Sequence, residues 1–423
     1  MRVLMSAYAC QPNLGSEHYH GHHWVKQAAR RHEVTVLTDA RNRDAISRHD
    51  YGRNVRFEFF ESLSSDILGG RQFRDWRGRE WAGYCRFLLR TYARARQLLG
   101  EPGFDLSHVV TWANFRWPNL LALLPLPSIL GPVGGGDEYP NGFERSLYER
   151  ARSLSIGFSR VEPLLGLTLR RTSVILAANA STARAMPASV RSRVRIAHAG
   201  IDLAEFAEWR HEERTGPFQV LWVGLLIPRK GLDLLLEAVA LVRERLSEGF
   251  RVVVFGDGPE APRLRAQAEA LGVSKHIDWR GWVSRDDVLR GYRQSDALFF
   301  TSLRETTPVT VLEGMLAGLP VACLEHSGQG DMVTPECGIP IAPGSRQEVV
   351  AGFASALVNL GGHRGLCRSL GEKARRRAIE LYGWDSCGDA MDELYREAVA
   401  TRGKGMRQYT VKRGRRSDGM AAK

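Results

Sequence analysis

Short apolar segments alternate with stretches of helix-forming residues along the chain, and this alternation restricts the fold more than any other feature. Val3–Tyr8 leads through Gln11–Ser16 into helix formers that run to Arg31, and Val34–Leu37 and Val55–Phe60 repeat the apolar unit. Strands apolar on both faces need helices on both sides, which predicts a parallel α/β sheet. After Arg195 the pattern restarts, with strands at Gln219–Val223, Val252–Phe255, Ile277–Arg280, Ala297–Thr301 and Val321–Cys323 and a helix over Gly231–Leu246. Two doubly wound domains follow, and 423 residues is an ordinary length for two. The expected division is 1–199 and 200–383, joined near Ala199-Gly200-Ile201-Asp202. A C-terminal helix, 384–400, is expected to return to the first domain, and 401–423 to form a disordered basic tail. Such domains face a central cleft where loops at the carboxyl ends of the strands converge, and the ligand is expected there.

Other architectures are excluded by simple counts. Cys10, Cys85, Cys323, Cys337, Cys367 and Cys387 contain no Cys-x-x-Cys pair, which disfavours a disulfide framework, a zinc ribbon or a redox motif and suits a reducing cytoplasm. Small residues before Cys10 resemble a lipoprotein signal, but this stretch is too short for a charged region plus an apolar one. The uncharged run Trp117–Gly136 is broken by Pro118, Pro125, Pro127, Pro132 and several glycines, so it is not a membrane-spanning helix. His18, His20, His22 and His23 crowd the first loop region without ligand spacing for a metal, and neither a metal nor a cofactor is expected.

The richest segment is Ala297–Val321. A buried strand ends near Ser302, a loop carries Glu305, and Pro308 can start a helix capped by Thr306 or Thr307, with Glu313 in its second turn. The free N–H groups and positive dipole at such a helix start suit a diphosphate, and carboxylates accept hydrogen bonds from polyols. Two further Gly-containing turns follow strands. Gly224-Leu225-Leu226-Ile227-Pro228-Arg229-Lys230-Gly231 puts Arg229 and Lys230 where a phosphate would sit, and Gly256-Asp257-Gly258-Pro259 follows the next strand.

Together these motifs, over about 219–345, resemble the nucleotide-sugar-binding domain of the retaining glycosyltransferases of GT-B architecture, the large class called family 4 or group 1. The resemblance implies two Rossmann-like domains and a metal-independent retaining transfer from a nucleoside-diphosphate sugar. It makes Glu305 a contact to the donor sugar, with the backbone at Thr306 and Thr307 near the sugar hydroxyls, and Glu313 the ligand of the ribose. It makes Lys230 a cation on the diphosphate, with Gly224 in the same loop, and puts the base near Trp282 and Val283. Gly15 and Ser16 occupy the first loop that approaches the donor. One departure is Leu225, where the family carries Arg; Arg229 is either its substitute or a solvated side chain. His108, in Phe104-Asp105-Leu106-Ser107-His108, resembles an acceptor-side strand end, and reads either as a group near the reacting centre or as a hydrogen-bonded core histidine. Gly131-Pro132-Val133-Gly134-Gly135-Gly136-Asp137-Glu138 stands where many members carry a functional His. No Asp-x-Asp occurs, so the usual metal-diphosphate carboxylate pair is missing.

Charge is unevenly spread: residues 1–199 carry 28 basic and 17 acidic side chains, 200–400 carry 23 and 29, and 401–423 carry 8 and 1. Arginines at 71, 74, 77, 79, 86, 90, 94 and 96 are interleaved with Trp76, Trp81, Tyr84 and Phe87. That segment suits either a helix on an anionic membrane surface or one packed on its own domain with a solvated Arg face. The first reading would place the acceptor, a glycan or lipid-linked group of bacterial-type envelope or exopolysaccharide synthesis, at the inner face of the membrane. No recognition motif supports a nucleic-acid partner. The alternative to an enzyme is a non-catalytic nucleotide-sugar binder or partner subunit.

Overall fold

The computed structural model describes residues 1–12, 15–62, 76–100, 103–112, 114–144, 146–158, 162–207, 216–245 and 250–414, of which 15–16, 76–81 and 402–414 are described by backbone alone. Seven strands form the first sheet: β1 (Arg2–Ala7), β2 (Glu33–Asp39), β3 (Val55–Phe60), β4 (Leu106–Thr111), β5 (Ser128–Val133), β6 (Val174–Ala177) and β7 (Val194–Ile196). Six form the second: β8 (Gln219–Val223), β9 (Arg251–Phe255), β10 (Ile277–Gly281), β11 (Ala297–Phe300), β12 (Val321–Leu324) and β13 (Gly338–Ile341). Every pairing is parallel, in the orders β3-β2-β1-β4-β5-β6-β7 and β10-β9-β8-β11-β12-β13.

Helices cover both faces of each sheet. The first domain carries α1 (Gly15–Ala29), α2 (Arg43–Ser47), α3 (Trp76–Leu98), α4 (Leu147–Phe158), α5 (Pro163–Arg171) and α6 (Ala180–Ala185). The second carries α7 (Leu232–Val242), α8 (Ala261–Ala270), α9 (Arg285–Arg293), α10 (Val309–Leu316), α11 (Ser327–Met332), α12 (Arg346–Gly362) and α13 (Arg364–Tyr382). The stripe on α7 shows why: Leu232, Leu235, Leu236, Val239 and Val242 recur at helical spacing and are all buried against Val220, Trp222 and Val252. Strand order reverses between β1 and β4 and between β8 and β11, and loops at those two points converge on the cleft.

The last helix, α14 (Trp384–Gly414), returns to the first sheet, where Trp384, Cys387, Met391, Tyr395 and Ala398 join the core of Val3, Trp24 and Leu106. It continues to Gly414, so the start of the stretch expected to be disordered is helical; no proline after Pro343 interrupts it, and 415–423 lie outside the described residues. In α3, Tyr84, Phe87 and Leu88 are buried against Tyr8 and Leu120. Arg94 pairs with Glu58 while Arg90 and Arg96 face solvent, so the described part of this helix is packed on its own domain with arginines outward. Arg71 and Arg74 lie outside the described residues, and the side chains of Trp76, Arg77, Arg79 and Trp81 are not described. Among the described residues no helix is long and apolar enough to cross a membrane.

Candidate functional site

The loops after β8 and β11 are stitched into one unit. The indole N–H of Trp222 donates to the Thr301 hydroxyl at 3.0 Å, and that hydroxyl donates to the Lys230 carbonyl at 2.8 Å. The Leu303 N–H adds a bond to the Arg229 carbonyl at 2.9 Å. Gly231 closes the turn in the left-handed region at φ 61°, and a Cβ there would sit 2.5 Å from the Thr301 carbonyl oxygen, so only glycine fits. This construction aims Arg229 and Lys230 at the loop that carries Glu305.

The Glu305 carboxylate is shared between two cations. The Lys230 ammonium lies 2.7 Å from it, the Arg229 guanidinium donates to the same oxygen, and the Ser302 hydroxyl donates at 2.8 Å. Burial pushes the Glu305 carboxyl up, but Lys230 and Arg229 overcome this and hold it below the ordinary carboxylate value. Arg229 therefore is not simply solvated: it stands beside Lys230 on one anion.

Glu313, one turn into α10, is in the opposite state. Its carboxylate accepts from Arg285 at 2.6 Å and from the Tyr292 hydroxyl at 2.9 Å, yet burial outweighs both and holds it above its ordinary value. Arg285 extends the chain to Glu205 at 2.5 Å. Neither Arg285 nor Tyr292 stands out in the sequence, although both lie on α9, seven residues and so about two turns apart, a spacing that puts them on one face.

Across the cleft, the turn after β5 meets the Glu305 loop directly. A Cβ on Gly134 would lie 2.5 Å from the Thr306 methyl carbon, which explains why the approach is made by glycine. Asp137 accepts from the Thr306 hydroxyl at 2.9 Å and from the Asn179 amide at 2.9 Å, and Asn179 also donates to the Thr306 carbonyl at 3.0 Å. Burial raises the Asp137 carboxyl despite both bonds. Arg304 pairs with Glu149 through two contacts of 2.6 and 3.2 Å. The result is a cavity of about 340 Å³ walled by Glu17, His20, Thr111 and Pro132 from one domain and by Arg229, Glu305, Thr306 and Thr307 from the other.

Other sequence expectations fall differently. His108 is not in the cleft: β4 runs on to Thr111, so the histidine sits mid-strand, fully buried, with its ring nitrogens bonded to the Tyr395 hydroxyl at 2.8 Å and the Gly131 carbonyl at 2.7 Å. It is a core histidine that ties α14 to the sheet. Thr306 and Thr307 do not cap α10, which begins after Pro308 without a side-chain cap; the Thr306 hydroxyl bridges the domains instead. Gly15 and Ser16 form the backbone of the first turn of α1. Gly224 donates to the Phe255 carbonyl at 3.0 Å and borders Gly256, so it packs the loop ends of β8 and β9 together. Trp282 is exposed and Val283 packs partly against the core beside α9. His23 stacks on Trp384 with centroids 4.8 Å apart, and His22 bonds to Tyr51 at 2.6 Å.

Residues 204–377 match the family described as glycosyl transferases group 1. The D-inositol 3-phosphate glycosyltransferase of Streptomyces bingchenggensis (strain BCW-1) is 30% identical over 223 residues, 49% of this chain and 48% of that protein. The chain thus spans about half the length of the curated relatives it matches. Sucrose-phosphate synthase from Thermosynechococcus elongatus superposes with a TM-score of 0.65 at 15% identity, covering 94% of this chain and 99% of that one. Anabaena HepE in complex with UDP does so with a TM-score of 0.60 at 15% identity, covering 93% and 99%. With the two parallel sheets, these likenesses show that the chain has the GT-B fold.

Proposed function

We propose that this protein is a retaining, metal-independent glycosyltransferase that moves a sugar from a nucleoside diphosphate to a glycan or lipid-linked acceptor, working at the cytoplasmic side in envelope or exopolysaccharide synthesis. One observation carries the reading: Glu305, clasped by Lys230 and Arg229, lines a cavity built from both domains, within the segment 204–377 that matches group 1. The domain division we adopt is 1–199 with 384–400, and 200–383. Glu305 would hold the donor sugar beside Thr306 and Thr307. Lys230 and Arg229 would move from the carboxylate onto the leaving diphosphate, whose charge they offset in a cleft partly shielded from water. Glu313 would take the ribose hydroxyls, with Trp282 and Val283 at the base. The departing phosphate oxygen would accept the acceptor proton on the face that the acceptor attacks, so configuration is retained.

Leu225, 41% exposed where the family carries Arg, supports a second reading, a nucleotide-sugar binder without turnover. A thermal-shift panel of uridine, guanosine, adenosine and cytidine diphosphates and their sugars separates the two when followed by donor turnover. A donor at a hundred times its Kd stabilises by about 2.7 kcal/mol. Release of diphosphate that disappears in Glu305→Ala and Lys230→Ala supports the enzyme; binding without release on any acceptor supports the binder.

A further inference from the structure

Three guanidiniums meet beside the Glu305 loop. Arg304 comes from the second domain and lines the cavity, while Arg116 and Arg152 come from the first, Arg152 from the inward side of α4. That helix turns Glu149 and Arg152 in and leaves Leu154 and Phe158 exposed. The partners of the three cations do not balance them. Arg304 pairs with Glu149 at 2.6 and 3.2 Å and lies over the Tyr139 ring, 5.8 Å from its centroid. Arg152 donates to the Asp137 carbonyl, and Arg116 donates to the Ser155 hydroxyl and, at 3.2 Å, to the Asn114 amide oxygen. Among the described residues, therefore, neither of these two has a carboxylate partner. Asp137 is the other acid here, and its side chain is already taken by Thr306 and Asn179.

Buried charge without a counter-charge is expensive. The imbalance shows in the guanidiniums themselves: burial lowers Arg152 to about 10, and the charges of Arg304 and Arg116 add to the effect. Burial lowers Arg116 as well, with the Tyr148 phenol opposing and Arg304 adding. Of the other acids on the cavity wall, Glu305 is clasped by Lys230 and Arg229, and Glu17 stands on α1. The leaving diphosphate would be met by Lys230 and Arg229, so the excess at Arg304 calls for a second anion. We infer that the Arg304 end of the cavity receives an anionic group, phosphate or carboxylate, carried by the acceptor. A guanidinium fork matches either group, so Arg304 would contact it directly, with Arg116 and Arg152 raising the positive potential behind. Because Arg304 precedes Glu305, one loop would hold both the acceptor's anion and the donor sugar, and so present one to the other. The anion site stands on the charges alone; that its occupant is the acceptor rests on the glycosyltransferase reading.

Calorimetry and thermal shift of the full chain in low-salt, phosphate-free buffer test the site without turnover. Inorganic phosphate, glucose 6-phosphate and glucuronate are the probes, and glucose is the uncharged control. An anion should bind where glucose does not, and the stronger of glucose 6-phosphate and glucuronate tells a phosphate site from a carboxylate site. Glu149→Gln with Arg304→Gln, which removes both charges of the pair, should weaken that binding by about tenfold. Arg116→Gln keeps a hydrogen-bonding amide and should weaken it several-fold, and it carries the test should the double variant not fold. Lys230→Ala should leave it unchanged. Three outcomes overturn the inference: no anion binding above that of glucose, equal binding in Arg116→Gln, or loss in Lys230→Ala, which would seat the anion in the diphosphate loop. The two readings fail separately. Anion binding without donor turnover removes the acceptor as occupant, whereas donor turnover without anion binding removes the site and keeps the enzyme.

Discussion

Replacing Glu305 with glutamine separates the roles of the carboxylate from those of its cations. The Glu305 and Lys230 side chains are 15% and 14% exposed and 2.7 Å apart, so the substitution leaves an ammonium facing a neutral amide. Breaking a buried pair costs roughly 3–5 kcal/mol. Arg229 is 32% exposed and its share is screened by solvent, so about 2–3 kcal/mol is the expected loss. For a domain of this size that lowers the melting temperature of its transition by about 4–12 °C. The two freed cations still favour a diphosphate, so affinity for the nucleoside diphosphate should be kept or increased. Turnover should nonetheless fall by about 10- to 100-fold, the worth of one charge-assisted hydrogen bond to the sugar. The sign of the pH dependence is fixed as well. A carboxyl held below its ordinary value of 4.5 contributes stability that is present above that pH and lost as pH falls through the lowered folded value. The stability gap between parent and variant should therefore close in acid. Calorimetry across pH with titration of the diphosphate reads all of this. An unchanged melting temperature together with weakened diphosphate binding would refute the reasoning, because it would mean that Glu305 does not hold the two cations in solution.

Tyr395→Phe should cost about 1–3 kcal/mol by orphaning a His108 ring nitrogen in the core, with diphosphate affinity unchanged; a loss of donor binding instead would return His108 to the cleft. Arg285→Ala removes a cation that opposes the burial of Glu313, so the Glu313 carboxyl rises further. Nucleotide affinity measured by calorimetry should then fall more steeply than in the parent as pH is lowered toward the carboxylate range, and identical pH profiles would exclude a ribose role for an ionised Glu313. Gly134→Ala drives a methyl into the Thr306 side chain, and should lower turnover while diphosphate affinity stays within about twofold, since the clash is between domains and not in the diphosphate loop.

The second domain was legible because its signals are local. Gln219–Val223 is a strand at the residues its apolar run indicates, and Lys230 faces Glu305 because Gly231 permits one turn that the sequence advertises. Three short strands escaped, β6, β7 and β13: they are too short for periodicity and β7 carries Arg195 in its centre, whereas the equally short β11 and β12 were found through the motif residues that flank them. His108 was misplaced for a related reason, since a strand end set three residues early turns a core histidine into a cleft one.

Contacts across the cleft were illegible for a different reason, since nothing local pairs positions so far apart in the chain. Asp137 and Thr306 are 169 residues apart, and only folding makes them partners. The glycines before Asp137 were visible as a motif, but their purpose, letting one backbone reach Thr306, exists only once both sheets are built. The same holds for α4, whose exposed leucines no local pattern marks, because it is the pairing of Glu149 and Arg152 with distant residues that gives the inward face to polar groups. Polar groups that satisfy one another at the domain boundary thus determine which apolar groups are left outside. The cleft's own hydrogen bonds fix the direction in which α4 presents Leu154 and Phe158, so the outer surface of this helix is a consequence of the site beneath it.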